Sequence, residues 1–260
     1  MSAANNINPK TIRKKILDLL ISSGEGHLGS SFSIIEIMIA IYQAQIKSYD
    51  KFSPEKVILS KGHASYAYYA FLNYIGMFSE SELLSVGKNG SKFYGHLPYI
   101  KEDSRFSFGS GSLGHGMPFS IGLSLASQFR SDPHPIYCIV GDGEANEGTF
   151  WESLLLMNKL SFLNLRVIID CNGSSERAIP IIEILKNLDK SFRGINFVAV
   201  DGHKTEEIVS ALNSKVKQLV ILCHTIKGYP CPSLMNNPIW HHRTPSHLEY
   251  QKLVQEIENA

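Results

Sequence analysis

Short runs of consecutive apolar residues recur along the chain and are separated by segments with helical periodicity. Continuous apolar runs of four to eight residues are typical of strands that are buried on both faces of a parallel sheet. Strands are predicted at 57–60, 135–140, 165–171, 197–200 and 219–224. The alternation with helices predicts an α/β fold, in which a parallel β-sheet carries helices on both faces and binds ligands at the carboxyl ends of its strands.

Helix and loop signals complete this pattern. Asn8 and Pro9 supply an N-cap and a first-turn proline for the first helix. The segment Ser33-Ile34-Ile35-Glu36 predicts a capping box that opens a very apolar second helix. Glycine-rich segments at 22–32 and 88–116 predict loops, and a loop as long as the second is usually functional. Further helices are predicted at 64–75, 79–84, 118–129, 151–160 and 246–258.

Composition and charge narrow the class of protein. The 260 residues are 43% hydrophobic and 19% charged, and no linker or repeat interrupts them, so a single domain over 1–260 is predicted. A net charge of +1 gives no electrostatic reason to expect a nucleic acid or a membrane as partner. The N-terminus has no apolar signal-peptide core, and the four cysteines show no C-x-x-C spacing. We therefore expect a soluble, cytoplasmic protein with buried thiols.

Two polar residues follow two of the predicted strands directly. Asp142 lies between Gly141 and Gly143 after the strand at 135–140, and Asn172 follows the strand at 165–171. Both side chains are therefore expected at the same edge of the sheet. A carboxylate and an amide oxygen suit a hard divalent cation such as Mg²⁺, which often shares its ligands with a diphosphate. Taken alone, Gly-Asp-Gly is more often only a tight turn.

Four of the ten histidines occur in separate loop or glycine-rich segments. They are His27, His63, His96 and His241. Several imidazoles that converge on one site can handle hydroxyl and phosphate groups near neutral pH. His115 and His242 are weaker candidates for such a site, and His224, within a predicted strand, is expected to be structural.

Several motifs together resemble the transketolase family of thiamine-diphosphate enzymes. The 31-residue spacing from Gly141 to Asn172 is similar to the family's thiamine-diphosphate signature. The resemblance covers residues 10–245, nearly the whole chain. Its motifs are Gly26-His27-Leu28-Gly29, Ser60-Lys61-Gly62-His63, Gly95-His96, Gly111-Ser112-Leu113-Gly114-His115-Gly116, Gly141-Asp142-Gly143-Glu144-Ala145-Asn146-Glu147-Gly148, Asp201-Gly202-His203, Lys227-Gly228 and Trp240-His241.

The resemblance implies a role for each matching residue. Asp142 and Asn172 would bind the metal through their side chains, and Ser174 through its main-chain oxygen. The cofactor-binding residues would be His63, Gly111, Leu113, Gly114, Gly143, Asp142 and Asn172. His27, His96 and His241 would be catalytic and face the substrate channel. Glu147 and Glu152 would lie near an interface between subunits.

The resemblance also implies that this chain is half of an enzyme. It matches the N-terminal half of split transketolases, which transfer a two-carbon ketol unit from a ketose to an aldose with Mg²⁺ and thiamine diphosphate. The pyrimidine-binding domain, which carries the glutamate that activates the cofactor, would be on a C-terminal partner subunit, with two copies of each chain in the assembly. The sugar, a sugar phosphate or a modified sugar, is left open.

Some positions depart from the family's pattern and leave alternatives open. The loop after Asn172 lacks the usual Asp-Gly pair, so the ligand at Ser174 is the least secure, and His242-Arg243 replace residues that are usually small. One alternative is half of another thiamine-diphosphate enzyme, similar to the α subunit of 2-oxoacid dehydrogenases or to deoxyxylulose-phosphate synthase. The other is a non-catalytic structural subunit.

Overall fold

Five parallel strands form one sheet in the order β1-β2-β3-β5-β4. The structure is a computed structural model and describes residues 7–24, 26–160, 163–173 and 181–260. The strands are β1 (Val57–Leu59), β2 (Ile136–Gly141), β3 (Leu165–Cys171), β4 (Asn196–Asp201) and β5 (Gln218–His224). The predicted parallel α/β fold is confirmed, because every strand pair is parallel and all five predicted strands are present.

Helices cover both faces of this sheet. They are α1 (Pro9–Ser23), α2 (Leu28–Phe32), α3 (Ile35–Tyr49), α4 (Ser65–Tyr74), α5 (Glu80–Ser85), α6 (Gly116–Phe129), α7 (Gly148–Leu160), α8 (Ile181–Leu185), α9 (Thr205–Leu212) and α10 (His247–Asn259). Successive strand residues point to opposite faces of the sheet. Ile168 of β3 accordingly packs into a core with α1, α3 and α4, whereas its neighbours Val167 and Ile169 pack into a second core with α6 and α7.

Local capping residues begin two of the helices, and the N-cap at Asn8 was predicted. The Asn8 side chain accepts a hydrogen bond from the Lys10 amide at 2.9 Å, and Pro9 is the first helical residue of α1. Ser246 and Glu249 form a capping box at the start of α10. These ends could be predicted because a cap depends only on residues within one turn.

Two local predictions near residue 30 were wrong. Ser33 does not cap α3, whose N-cap is Ile34 without a side-chain hydrogen bond; the Ser33 hydroxyl instead donates to Asp170 Oδ2 at 2.8 Å. Glu36 does not complete a box either, because it forms an ion pair with Arg13. The predicted loop at 22–32 contains α2, which is buried against α1 and α4. Contacts with distant parts of the chain therefore took the place of the predicted capping hydrogen bonds and bury the unpredicted helix α2.

The Arg13–Glu36 pair links α1 to α3 inside the protein. Arg13 Nη2 and Glu36 Oε2 are 2.7 Å apart, and both side chains are almost fully buried. Burial by itself disfavours the ionised carboxylate, but the charge of Arg13, its hydrogen bond to Glu36 and the nearby His203 ring hold the pKa of Glu36 below its usual range. The pair therefore contributes stability at neutral pH that is lost as the pH falls below the ordinary glutamate pKa.

We predict that Glu36→Gln destabilises the chain strongly, because Arg13 would remain buried without a counter-ion. The loss in free energy of unfolding at pH 7 should be about 3–5 kcal/mol, measured by urea denaturation. Glu102→Gln, at an exposed position, should change it by less than about 0.5 kcal/mol. Equal stability of the two variants would show that the buried pair contributes nothing.

Candidate active site

The carboxyl ends of β2 and β3 meet at one edge of the sheet and bring Asp142 close to Asn172. Gly141 lies opposite Asp170 in the strand register, so the residues that follow both strands emerge side by side. The Gly173 amide donates a hydrogen bond to Asp142 Oδ2 at 2.8 Å. Asp142 and Asn172 are both buried. The predicted proximity of the two side chains is therefore present in the structure.

The electrostatics of Asp142 suit a bound cation. Burial, and then the negative charge of Asp170, raise the pKa of Asp142 to about 6. An adjacent divalent cation would reverse this effect, because it favours the ionised carboxylate. In the described part of the chain no three His, Cys, Asp or Glu side chains form a metal-binding group, but the predicted donor set is of another kind: one carboxylate, one amide oxygen and one main-chain oxygen. The third predicted ligand, Ser174, lies outside the described residues.

A cavity of about 520 Å³ opens beside Asn172 and Gly173. It is lined by Asn172, Gly173, Lys227, Asn236, Asn237, Pro238 and His241. The Lys227 ammonium is 2.9 Å from His241 Nδ1, and burial, followed by the charge of Lys61, lowers the pKa of Lys227. A partly buried cation in a cavity next to a candidate Mg²⁺ site is suited to a diphosphate. The sequence motifs include Lys227, but they predicted no role for it.

The position of Lys227 also gives a reason for the glycine at position 29. Its side chain crosses Gly29, where an added Cβ would lie 3.0 Å from Lys227 Cγ. The Gly228 amide donates a hydrogen bond to the Gly29 carbonyl at 3.3 Å. Two motifs that lie far apart in the sequence thus contact each other beside Lys227, which lines the cavity.

The loop at 111–116 is tied to the same strand end by Glu144. Oε1 of this buried carboxylate accepts hydrogen bonds from Ser60 Oγ at 2.5 Å and from the Gly114 amide at 2.9 Å, and Oε2 accepts one from the Gly141 amide at 2.9 Å. Gly114 has a φ of 81°, and a Cβ there would lie 2.4 Å from the Thr149 hydroxyl. Glu144, which had no predicted role, therefore connects Gly114, one of the predicted cofactor-binding residues, to the end of β2 at Gly141.

The four predicted histidines lie together. The ring centroid of His27 is 5.3 Å from that of His63, 6.1 Å from that of His96 and 5.4 Å from that of His241. Each comes from a different segment: His27 directly precedes α2, His63 follows β1, His96 lies in the long loop, and His241 follows a short helical turn. The predicted convergence is therefore found, while the catalytic roles remain predictions.

His242 is a fifth member of this imidazole cluster. Its ring centroid is 4.6 Å from that of His27, the shortest of the four distances to His27. His241 lines the cavity next to Asn172, whereas His242, with His27 and His96, lines an adjoining cavity of about 420 Å³. The consecutive histidines therefore face two neighbouring spaces. The weaker candidate His115 is instead the residue before α6, and His224 ends β5 as expected.

Two members of the imidazole cluster, His27 and His63, are held neutral by their surroundings. Burial, and then the nearby His242, His241 and His96, lower the pKa of His27 to about 3. Burial, and then the charge of Lys61, lower the pKa of His63 to about 2. Neutral imidazoles can donate and accept hydrogen bonds at the same time, which suits them to sugar hydroxyls.

Glu147 and Glu152 lie apart from the imidazole cluster, on exposed surface. Glu147 directly precedes α7 and Glu152 lies within it. On the same helix Leu155 and Leu156 are exposed as well, at 61% and 43%. A large exposed apolar surface beside charged residues is typical of an interaction site.

The depressed histidine pKa predicts a loss of stability in mild acid. Below pH 6.5 the unfolded chain takes up a proton that folded His63 does not, so the free energy of unfolding falls by up to about 2 kcal/mol between about pH 6.5 and 5 from this residue. Urea denaturation at pH 7 and pH 5 should show that His63→Asn loses less stability than the original chain. His247→Asn, on the exposed side of α10, should lose as much as the original chain. Identical losses in all three proteins would contradict a neutral His63.

Comparison with known proteins gives a consistent result. A family model described as "Transketolase, thiamine diphosphate binding domain" matches residues 4–252. The chain is 31% identical to one of the subunits of apulose-4-phosphate transketolase from Actinobacillus succinogenes, over 96% of this chain and 94% of the relative. It is 33% identical to the 6-deoxy-6-sulfo-D-fructose transketolase subunit SqwG of Clostridium sp., over 84% of this chain and 82% of the relative. Human transketolase is 30% identical over 95% of this chain.

Solved structures show the same fold. A mutant transketolase from Pichia stipitis in complex with fructose 6-phosphate aligns with a TM-score of 0.81 at 23% identity, over 99% of this chain. Transketolase from Campylobacter jejuni aligns with a TM-score of 0.77 at 22% identity, over 97% of this chain. The chain spans only 41% and 43% of those two proteins, and 41% of human transketolase.

Proposed function

Since the chain belongs to the family of transketolase thiamine-diphosphate-binding domains, we propose that it is the N-terminal subunit of a split transketolase. It transfers a two-carbon ketol unit from a ketose to an aldose, together with a partner that carries the pyrimidine-binding domain. The observation that carries the proposal is that two groups of residues meet at one cavity. Asn172 and Gly173, whose amide binds Asp142, line this cavity together with His241, and His241 belongs to the imidazole cluster. Such an arrangement suits a metal-diphosphate group and a sugar side by side.

Asp142 and Asn172 hold Mg²⁺ in this proposal, and Lys227 and His63 contact the diphosphate. Ser174 supplies a main-chain oxygen to the metal. Bound thiamine diphosphate supplies the carbon nucleophile that carries the two-carbon unit. The chain's own part is to bind and orient: its oxygen ligands would hold the cation, and the Lys227 ammonium would face the diphosphate.

The imidazole cluster handles the sugar. His27, His96 and His241 contact the hydroxyl groups of the substrate and move protons as the carbon–carbon bond breaks. Among the described residues, His27 Nδ1 is buried and has no hydrogen-bond partner, which suits it to a ligand hydroxyl. Burial lowers the pKa of His27 and of His241, so each of these two imidazoles can accept a hydrogen bond at one ring nitrogen while it donates from the other.

The partner is a C-terminal transketolase subunit, and two copies of each chain assemble in the cytoplasm. Relatives of similar length are named as transketolase subunits, which supports a split enzyme. Glu147 and Glu152, with the exposed leucines of α7, form the proposed interface. The substrate is a sugar phosphate or a modified sugar. No helix in the described ranges is long and apolar enough to cross a membrane.

Activity should require both this chain and its partner. We predict that the chain co-expressed with a pyrimidine-domain subunit transfers ketol units from ketose to aldose phosphates when Mg²⁺ and thiamine diphosphate are present. Either chain alone should show no transfer, because the cofactor is activated only between the two domains. The measurement is a coupled assay of aldose-phosphate formation. Full activity of this chain by itself would refute the proposal.

The metal site can be tested within the same complex. Asp142→Ala should lower kcat/KM by about 100-fold or more, because the cation loses its only side-chain carboxylate among the predicted ligands. Asp189→Ala, at an exposed position that is not among the predicted ligands, should leave kcat/KM within about twofold. Tight cofactor binding without ketol transfer by the original complex would indicate another thiamine-diphosphate enzyme, and absence of cofactor binding would indicate a structural subunit.

A further inference from the structure

Asp170 is a buried carboxylate at the end of β3 for which the sequence predicted no role. It is fully buried, and four segments that are distant in sequence meet at it. Its Oδ2 accepts hydrogen bonds from Ser33 Oγ at 2.8 Å and from Asn172 Nδ2 at 2.8 Å, and the same oxygen contacts the Lys61 ammonium. Its Oδ1 accepts a hydrogen bond from Thr225. A carboxylate with this many donors has a fixed orientation.

The Asp170 carboxylate determines the orientation of the polar side chains around it. Lys61, Thr225 and Ser33 all direct donors at this carboxylate, and the Asn172 amide nitrogen is the fourth donor. Lys61 is itself buried, so the two charges compensate each other. An ionised carboxylate can only accept hydrogen bonds.

This has a direct consequence for Asn172. Its side chain must turn the amide nitrogen towards Asp170, and the amide oxygen is therefore turned away from it. A rotated amide would place two N–H donors where the oxygen now lies, and donors repel a cation. Asn172 also lines the cavity beside Asp142, to which the following residue, Gly173, donates its amide hydrogen bond.

We infer that Asp170 is a positioning residue for the metal site: it orients the Asn172 amide so that its oxygen serves as a ligand for the divalent cation. The inference rests on the proposed function, in which Asp142 and Asn172 hold that cation. Asp170 is not itself a ligand in this proposal, and it orients the site through its hydrogen bond with Asn172. Groups that orient metal ligands in this way typically contribute about 10- to 100-fold to metal affinity.

A charge-neutral double substitution separates this role from simple stabilisation. Lys61→Met/Asp170→Leu removes one positive and one negative charge together, and a buried ion pair can often be replaced by apolar residues without loss of stability. The variant leaves Asn172 without its fixed acceptor. We expect it to raise the dissociation constant of Mn²⁺ about 10- to 100-fold. Mn²⁺ binding is measured by electron paramagnetic resonance, on the complex with its partner, first with the metal alone and then with thiamine diphosphate.

A matched control removes a Lys–Asp pair elsewhere. Lys56→Met/Asp132→Leu deletes the ion pair before β1 and β2, at the opposite end of the sheet, where Nζ and Oδ2 are 2.5 Å apart. This variant should bind Mn²⁺ within about threefold of the original complex.

In the Lys61→Met/Asp170→Leu variant, a higher Mg²⁺ concentration should restore most of the ketol-transfer activity. A collapsed site would not permit this recovery.

Each outcome decides the inference. A folded Lys61→Met/Asp170→Leu variant with unchanged Mn²⁺ affinity would overturn the positioning role and leave the proposed function intact. Absence of Mn²⁺ binding by the original complex, with and without cofactor, would refute the proposed metal site and the positioning role with it. If the double variant does not fold, the ¹⁵N-labelled side-chain amide of Asn172 in the original complex provides the test: slow hydrogen exchange supports the contact with Asp170, and fast exchange contradicts it.

Discussion

The parallel pairing of β2 with β3 is the constraint on which the rest of the site depends. In this register Gly141 lies opposite Asp170, so each strand delivers its next residues to the same edge of the sheet. A shift of the register by one residue would turn every side chain of one strand to the other face. The alternation of the two apolar cores across β3 prevents such a shift, because Ile168 fills one core while Val167 and Ile169 fill the other. Core packing therefore keeps the ends of the two strands, and the polar residues that follow them, together.

Buried charge organises this edge and the imidazole cluster beside it. Asp170 pairs with Lys61, and Glu144 joins the loop at 111–116 to β2 through its hydrogen bonds. Buried carboxylates are costly unless their oxygens are satisfied, and here each one joins segments that are far apart in the chain. The positive charge of Lys61 near His63 adds to the effect of burial, so this imidazole stays neutral.

The sequence by itself determined the five strands and the polar residues that follow two of them. Continuous apolar runs predicted five parallel strands, and because parallel strands end at a common edge, Asp142 and Asn172 could be brought together without a structure. The histidines were predicted to share a site from their loop positions and from the resemblance to a family. Helix ends governed by local caps, at Asn8 and Ser246, were correct because the interactions that form a cap lie within one turn.

Only the tertiary structure decided the contacts between distant segments. Ser33 was predicted to cap α3 and instead binds Asp170, and Glu36 was predicted to complete that cap and instead pairs with Arg13. The proximity of His242 to His27, and of Lys227 to His241, also appears only in the folded chain. Local patterns record the preferences of a few neighbouring residues, whereas a polar side chain that is buried by packing takes whichever partner the fold places beside it.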